Sequence, residues 1–298
     1  MSSKSKKIFV LGATGMLGHK MCQVLSGADE FYVYGGLRGR AEAVKALPFF
    51  QDTDLVGGLD VNDWGRAKDS IANLKPDVIV NCVGLTTRKI DPAASAQVVE
   101  LNALLPHRLA HLATDLGARM IHFSTDCVFQ GGAGPYAVDH PKDAQDLYGM
   151  SKALGEVDAP GCLTIRSSIV GREIRGFTEF FEWIFSQKGQ GVSGFTKALY
   201  NGLTTKFMAE LVRDLILQSP DMRGILQIGS QPASKAQLIQ QVSDIFDLGI
   251  TVNSVDQGKD KTLQTQVAQQ DIGFQPPTWA ELISDLKREN HLYEGIQS

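Results

Sequence analysis

Apolar residues in the first two-thirds of the chain form short continuous runs that are separated by longer amphipathic stretches. Continuous runs are typical of parallel strands buried on both faces of a sheet, whereas strands with one exposed face alternate apolar and polar residues. The runs, which we predict to be strands, lie at residues 8–11, 31–34, 78–83, 120–124 and 163–170. The amphipathic stretches, which we predict to be helices, lie at residues 16–25, 64–74, 94–116 and 147–157. This alternation predicts an α/β fold with a doubly wound parallel sheet.

The pattern changes after Gly171, where the strand-and-helix alternation ends. We predict a strand at 225–228 that returns to the main sheet, and a polar loop at 256–268. The other segments are an aromatic-rich helix at 177–185, a glycine-rich stretch at 189–194, and helices at 205–218, 234–246 and 279–289. We therefore expect a main domain of residues 1–171, to which about 203–230 return, and a smaller C-terminal α/β region that is mainly residues 172–298.

The first apolar run ends in a glycine-rich loop that leads into a predicted helix. In this context, glycines permit a tight turn, the approach of backbone N–H groups to a pyrophosphate, and close packing of the helix on the strand. The pyrophosphate then lies at the positive end of the helix. Three glycines can fall into this spacing by chance in a chain that holds 30, so a plain structural turn is the alternative. The expected cofactor residues of the loop are Gly12, Thr14, Gly15, Met16, Leu17 and Gly18.

The end of the second strand is predicted to select the cofactor. An NAD-selective site places a carboxylate there, which accepts a hydrogen bond from the 2′-hydroxyl of the adenosine ribose. Residues 35–40 of this chain contain no acid but do contain Arg38 and Arg40. A guanidinium at this point suits the 2′-phosphate of NADP. We therefore predict NADPH bound by Arg38, with NADH and two merely solvated arginines as the alternatives.

Two later segments are expected to contact the same cofactor. Asp60, followed by Val61, would accept a hydrogen bond from the exocyclic amine of adenine, although a solvated aspartate at a strand end fits nearly as well. Small residues follow the run at 78–83 and leave room for a cofactor at the carboxyl edge of the sheet, or for helix packing. The residues expected to line the site there are Cys82, Val83, Gly84 and Thr86.

Tyr148 and Lys152 are four residues apart, which puts them on one face of the helix predicted at 147–157. A phenol has a pKa near ~10 and exchanges protons poorly at neutral pH unless a nearby cation stabilises its anion. Lys152 would supply that cation and would also donate a hydrogen bond to the nicotinamide ribose. A surface pair with no catalytic role is the alternative.

A hydroxyl-bearing segment, Ser124-Thr125-Asp126, ends the run at 120–124. A hydroxyl at this position would hydrogen-bond the substrate oxygen that Tyr148 protonates, which polarises a carbonyl toward hydride attack. Taken alone, such a segment more often caps a helix. Since Tyr148, Lys152 and the glycine loop occur in the required order, we favour Thr125, Tyr148 and Lys152 as the catalytic residues.

Together these segments resemble the extended short-chain dehydrogenase/reductase superfamily, and most of all its dTDP-4-dehydrorhamnose reductase branch. The resemblance covers about residues 7–175 and is carried by residues 12–18, 124–126, 148–152 and 165–168. It implies a Rossmann-type fold, with an NAD(P)-binding domain at 1–171 and a mainly substrate-binding region at 172–298. It also implies NADPH or NADH as cofactor and a nucleotide-diphosphate-linked sugar as substrate. By matching position, the substrate would contact Thr125, Asp126, Ile169 and Lys261.

Three of the matched positions depart from the family pattern. Cys127 stands where relatives usually carry an aromatic residue, and Ile169 stands where they carry a tryptophan beside the sugar. Lys261 replaces an arginine expected near the nucleotide diphosphate, so it keeps the charge but loses the bidentate fork. These departures leave the identity of the nucleotide and of the sugar open.

The resemblance leads to one main hypothesis and two alternatives. The related 4,6-dehydratases need an acid–base carboxylate where this chain has Cys127, so elimination is not favoured. The main hypothesis is an enzyme, an oxidoreductase that reduces a nucleotide-diphosphate-linked 4-keto-6-deoxy sugar with hydride from NADPH and a proton from Tyr148. A sugar-nucleotide epimerase shares the same catalytic residues. A non-catalytic NADP-binding regulatory subunit, of the kind that serves methionine adenosyltransferase, is the other alternative.

The composition excludes several other classes of protein. The net charge of −4 argues against a nucleic-acid partner, and no apolar run approaches the ~18 residues of a membrane span. The four cysteines form no C-x-x-C pair and the six histidines no ligand cluster, so neither disulfides nor a metal site is expected. We expect a cytoplasmic protein with no membrane partner. Many relatives pair through helices matching 94–116 and 147–157, so a homodimer is a further expectation.

Overall fold

The apolar runs of the first two-thirds form the centre of a parallel sheet, as predicted. The computed structural model describes residues 5–86 and 95–296. The strands are β1 (Lys6–Leu11), β2 (Phe31–Gly36), β3 (Thr53–Val56), β4 (Val78–Asn81), β5 (Arg119–Ser124), β6 (Cys162–Arg166), β7 (Ile169–Val170), β8 (Gly191–Phe195), β9 (Leu199–Tyr200), β10 (Leu203–Thr204), β11 (Gly224–Gln227), β12 (Ala233–Ser234) and β13 (Thr251–Val255). Seven of them form the main sheet in the order β11-β6-β5-β4-β1-β2-β3, and all of its pairs are parallel.

Helices cover both faces of this sheet. They are α1 (Gly18–Ser26), α2 (Trp64–Leu74), α3 (Ser95–Val99), α4 (Leu105–Leu116), α5 (Leu147–Leu154), α6 (Phe180–Ser186), α7 (Thr205–Gln218), α8 (Lys235–Phe246), α9 (Gln266–Ile272) and α10 (Trp279–Arg288). Alternate residues of β1 enter opposite cores: Ile8 and Val10 belong to one buried cluster, and Phe9 and Leu11 to the other. The doubly wound Rossmann-type fold is therefore confirmed.

The order of the strands places a crevice at the carboxyl edge of the sheet. β1 pairs with β2 on one side and with β4 on the other, so the chain reverses its direction of winding between β1 and β4. In open α/β sheets, ligands bind outside the carboxyl ends of the strands at such a switch point. The glycine-rich loop that follows β1 lies at this position.

Several predicted elements differ from the structure. The run at 163–170 is two strands, because Ser167 and Ser168 belong to neither strand and β7 pairs with β10 outside the main sheet. The helix predicted at 94–116 contains a π-helical turn (Glu100–Leu104) between α3 and α4, and its first residue lies outside the described residues. The polar loop at 256–268 gives way to α9 at Gln266.

Six strands were not predicted, since each is very short or lacks a continuous apolar run: β3, β8, β9, β10, β12 and β13. β3 is a short edge strand that pairs with β2, and β8 pairs with β13 in a separate two-stranded sheet packed on α8. β11 pairs with β6 and so lies in the main sheet, as predicted for the strand at 225–228. Within the described ranges, we find no helix with both the length and the apolarity needed to span a bilayer.

Candidate active site

The glycine loop brings β1 and α1 unusually close together. Gly12 has a φ of +83°, a backbone conformation that L side chains rarely adopt. A Cβ atom on Gly18 would lie 2.0 Å from the carbonyl oxygen of Gly12, so no other residue fits at the start of α1. This packing holds the N-terminus of α1 at the edge of the sheet, where its free N–H groups face the crevice.

Two cavities line the carboxyl edge of the sheet and meet over the loop after β4. The first, of about 280 Å³, extends from the glycine loop toward β2 and β3, and we call it the loop-side cavity. The second, of about 290 Å³, extends toward β5 and α5, and we call it the tyrosine-side cavity. Both are lined by Gly15, Cys82, Val83, Gly84 and Leu85, so they form one elongated site.

The predicted cofactor residues distribute along this elongated site. In the loop-side cavity, the predicted lining residues are Gly12, Thr14, Gly15, Arg38, Asp60 and Val61. In the tyrosine-side cavity they are Met16, Leu17, Thr86, Tyr148 and Lys152. Gly18 lines neither cavity and acts through the packing of α1 on β1. An elongated cleft that crosses the switch point and runs past a helix N-terminus has the shape and the donors that a dinucleotide needs.

Lys152 is almost completely buried, with 6% of its surface exposed. Its ammonium group donates a hydrogen bond of 2.6 Å to the carbonyl oxygen of Phe123 and lies 3.5 Å from Nε2 of His122. Burial lowers the pKa of Lys152 to about 8, against the opposing effect of Glu156. The lysine is therefore mostly charged at neutral pH and is close to its titration point.

Tyr148 lies in the first turn of α5, whose N-terminus is capped by Asp146. Burial in the surrounding protein raises the pKa of Tyr148, and contact with the hydroxyl of Thr125 partly opposes this shift. The phenol is therefore protonated at neutral pH. The structure thus brings together Thr125, Tyr148 and Lys152, which all line the tyrosine-side cavity.

The hydroxyl of Thr125 is held by its neighbours. It donates a hydrogen bond of 3.0 Å to Oδ1 of Asp126 and accepts one of 3.2 Å from the backbone N–H of Cys127. Ser168 donates a hydrogen bond of 2.7 Å to the same carboxylate oxygen. Because a hydroxyl carries one proton, Thr125 must rotate away from Asp126 before it can donate to a substrate oxygen.

The remaining predicted substrate residues are Ile169 and Lys261, and both lie near the tyrosine-side cavity. Ile169 lines the tyrosine-side cavity and an adjoining cavity of about 150 Å³. The Lys261 ammonium is near enough to Cys127 to oppose the rise in that thiol's pKa, which burial nevertheless takes to about 12. Cys127 is therefore a protonated thiol at neutral pH and a poor base.

Two residues of this site were missed by the sequence analysis. Tyr200 lines the adjoining cavity and forms a hydrogen bond with Ser168, which links it to Asp126. Glu179 lines the tyrosine-side cavity and the adjoining cavity, and it accepts a hydrogen bond of 2.6 Å from Thr86. Neither residue carries a local signal, since Tyr200 lies in a two-residue strand and Glu179 precedes a short helix.

A polar network fixes the position of α5. Asn102, from the π-helical turn, accepts a hydrogen bond from the N–H of Leu85 and donates to the carbonyl of Leu85 and to Ser151. Glu156 forms a bidentate pair with Arg166, with both distances 2.8 Å. These contacts tie α5 to the loop after β4 and to β6. Within residues 5–86 and 95–296, no group of His, Cys, Asp and Glu side chains is arranged to hold a metal ion.

Comparison with known proteins identifies the family. Residues 6–214 match the family model of the RmlD substrate binding domain. A dTDP-4-dehydrorhamnose reductase of Streptomyces griseus is 34% identical over 150 residues, which is 49% of this chain and 42% of that protein. The methionine adenosyltransferase 2 subunit beta of Danio rerio is 25% identical over 258 residues, 82% of this chain and 75% of that protein.

Solved structures share the fold. The crystal structure of a dTDP-4-dehydrorhamnose reductase from Bacillus anthracis in complex with NADP has a TM-score of 0.76 at 16% identity, and the alignment covers 97% of this chain and all of that one. The chain spans less than half of the Streptomyces relative, whereas the family model covers most of this chain. This protein belongs to the RmlD substrate binding domain family of the extended short-chain dehydrogenases/reductases, as the resemblance predicted.

Proposed function

We propose that this protein is an NADPH-dependent oxidoreductase that reduces the keto group of a nucleotide-diphosphate-linked 4-keto-6-deoxy sugar. The observation that carries the proposal is the meeting of Thr125, Tyr148 and Lys152 in one cavity that continues into the glycine loop. The family assignment and the reductase name of the Streptomyces relative point to the same substrate class.

The residues present fit a nicotinamide dinucleotide. Gly12 and Gly15 line the loop-side cavity beside the N-terminus of α1, Gly18 lets α1 pack closely on β1, and none of residues 37–40 is an acid that would oppose a 2′-phosphate. A bound NADPH would supply the hydride that adds to the carbonyl carbon of the substrate. Lys152, whose ammonium reaches the cavity, would hydrogen-bond the ribose next to the nicotinamide, and NADH stays the alternative cofactor.

Tyr148 is the proposed proton donor to the substrate oxygen. Its raised pKa keeps the phenol protonated at neutral pH. Lys152, which lines the same cavity, would stabilise the phenolate as the proton leaves. Thr125 rotates from Asp126 and donates a hydrogen bond to the same oxygen, which polarises the carbonyl. The carbonyl carbon gains a hydride and the oxygen gains a proton, and solvent then returns a proton to Tyr148.

The sugar nucleotide is proposed to bind on the C-terminal side of the cleft. Asp126 and Ile169 would contact the sugar, and Lys261 would lie near the diphosphate. Tyr200, which lines the adjoining cavity, would contact the sugar as well. The division into a cofactor domain at 1–171, joined by about 203–230, and a mainly substrate-binding region at 172–298 belongs to the same proposal.

A non-catalytic NADP-binding subunit is the second candidate. It is favoured by the alignment with the Danio rerio subunit, which covers more of both chains than the alignment with the Streptomyces reductase. The complete set of Thr125, Tyr148 and Lys152 in one cavity favours turnover, since a purely structural cofactor needs no proton donor.

The test is NADPH oxidation with a panel of dTDP-, UDP- and GDP-linked 4-keto-6-deoxy sugars. We expect oxidation with one class of nucleotide, and Tyr148→Phe should lower kcat by about 10²–10⁴-fold because the proton donor is lost. The control is Tyr32→Phe, an exposed tyrosine outside the site, which should leave kcat unchanged.

Two other results would each contradict the proposed reductase. If no sugar nucleotide oxidises NADPH while NADP binds tightly, the protein is the non-catalytic subunit. If a sugar nucleotide is isomerised with no net loss of NADPH, it is an epimerase.

A further inference from the structure

Another cavity, of about 360 Å³, lies on the outer side of the glycine loop. Three segments meet in it: the glycine loop, the residues after β2, and the segment that follows β7. We call it the two-arginine cavity, and its lining residues are Thr14, Gly15, Met16, Arg38, Gly39, Glu173 and Arg175. It therefore joins the predicted NADP-selecting position to a residue of the C-terminal region that the sequence analysis did not consider.

Arg38 and Arg175 are both exposed, and neither has an ion pair or a side-chain hydrogen bond with any residue of the described ranges. The Nη1 atom of Arg175 lies 3.8 Å from the position that a Cβ atom on Gly39 would occupy. Its guanidinium is thus beside the backbone of the residue next to Arg38. Two guanidiniums that line one cavity and have no carboxylate partner among the described residues favour an anion between them.

Glu173 is the one carboxylate that lines this cavity among the described residues, and one of its oxygens is hydrogen-bonded within its own segment. Its Oε2 atom accepts hydrogen bonds of 2.7 Å and 2.8 Å from the N–H groups of Thr178 and Glu179. Only 1% of the residue is exposed to solvent. The solvent-facing groups of the cavity are therefore two guanidiniums and the hydroxyl of Thr14, a donor set for a phosphate monoester.

We infer that this cavity holds the 2′-phosphate of NADPH and that Arg175 binds the phosphate from the side opposite Arg38. The inference rests on the proposed function, because it assumes that a dinucleotide occupies the adjoining loop-side cavity. Arg175 is then a specificity-determining residue for the cofactor, although it belongs to the region assigned mainly to the substrate. The segment that carries Arg175 also leads to Glu179 in the tyrosine-side cavity, so phosphate binding would order both ends of it.

The experiment measures binding rather than turnover. NADP⁺, NAD⁺ and 2′,5′-ADP are titrated by calorimetry into the wild-type protein and into the variants Arg175→Ala, Arg38→Ala and Arg40→Ala. Arg40 is the matched control, because it is an exposed arginine of the same loop as Arg38 but does not line the cavity. We expect Arg175→Ala to weaken NADP⁺ and 2′,5′-ADP by about tenfold, the loss of one charge-assisted hydrogen-bonding group, and to leave NAD⁺ unchanged.

Unchanged NAD⁺ binding also shows that the variant is folded. Arg38→Ala should behave like Arg175→Ala, and Arg40→Ala like wild type. Equal weakening of NADP⁺ and NAD⁺ by Arg175→Ala would overturn the inference, because the side chain would then bind the pyrophosphate that both cofactors share. Unchanged binding of NADP⁺ would also overturn it while leaving the proposed function intact. Failure of the wild-type protein to bind any dinucleotide would overturn the proposed function as well.

Discussion

Two lysines of this protein are buried to a similar degree, but only one of them forms an ion pair within the described residues. Lys20, in α1, is 1% exposed and forms an ion pair of 2.6 Å with Glu289. The rings of Phe49 and Tyr293 lie 5.3 Å and 5.5 Å from its ammonium group. This cluster fastens the C-terminal segment to the back of α1, and the charge of the lysine is satisfied inside the protein.

Lys152 has no such partner. In residues 5–86 and 95–296, no carboxylate lies within ion-pair distance of it, and its contacts are the uncharged carbonyl of Phe123 and the ring of His122. Burial lowers the pKa of both lysines. The charge of Lys20 is paired with Glu289, whereas the charge of Lys152 is available to a ligand that enters the cavity. Sites that bind or transform a ligand commonly keep such uncompensated groups at the expense of stability.

The largest effect is expected from Lys152→Met. Activity should fall by at least about 10²-fold, because the cation that stabilises the Tyr148 phenolate is lost. Stability at pH 7 should not fall, because a buried charge is removed. The difference between the folded pKa of Lys152 and its ordinary value corresponds to a gain in unfolding free energy of at most about 3 kcal/mol. Loss of the hydrogen bond to Phe123 makes this gain smaller. NADPH oxidation and urea unfolding measure the two effects, and a loss of more than about 2 kcal/mol would contradict the comparison.

Lys20→Met should show the reverse behaviour. We expect the free energy of unfolding to fall by about 2 kcal/mol, because the carboxylate of Glu289 loses its nearest cation. The effect is smaller than for a fully buried pair, since Lys206 lies 3.8 Å from Glu289 and the carboxylate is 21% exposed. Activity per folded molecule should stay near that of wild type. Urea unfolding of Lys20→Met, Glu289→Gln and the double variant would test the coupling, and additive losses would show that the pair contributes nothing.

A change of one pH unit is expected to produce the smallest of these effects and the most specific. Above pH 8, kcat/KM should fall by about tenfold per pH unit as Lys152 loses its proton. Stability should move in the opposite direction. The pKa of Lys152 in the fold lies below its unfolded value near 10.5, so between pH 8 and 10.5 the unfolded chain binds more protons and folding gains stability with pH.

The Lys152→Met variant is the reference for this measurement, because other groups titrate in the same range. The difference in unfolding free energy between wild type and variant should shift in favour of wild type from pH 8 to 10. A pH-independent difference would show that Lys152 titrates outside this window.

The parts of the site that lie on the main sheet were predictable from local sequence. A continuous apolar run followed by Gly12, Gly15 and Gly18 predicts the loop, and the four-residue spacing of Tyr148 and Lys152 predicts a shared helix face. The carboxyl ends of parallel strands meet at one edge of a sheet, and Thr125 directly follows a predicted strand, so the sequence predicts that Thr125 belongs to the same site.

The remainder of the site depends on segments without a local pattern. β3, β8 and β13 are short and lack continuous apolar runs, so their place in the fold follows from pairing with distant strands. Tyr200 and Glu179 reach the cavity through a two-residue strand and a loop.

The sequence by itself determined the doubly wound sheet, the glycine loop and the order of the predicted catalytic residues, because hydrophobic periodicity and glycine geometry act over a few neighbouring residues. Only the tertiary structure decided that Lys152 has no carboxylate within ion-pair distance in the described part of the chain, that Thr125 directs its proton to Asp126, and that Arg175 and Arg38 line one cavity. Those arrangements depend on how distant segments pack and on which groups are excluded from water, and neither property can be read from spacing along the chain.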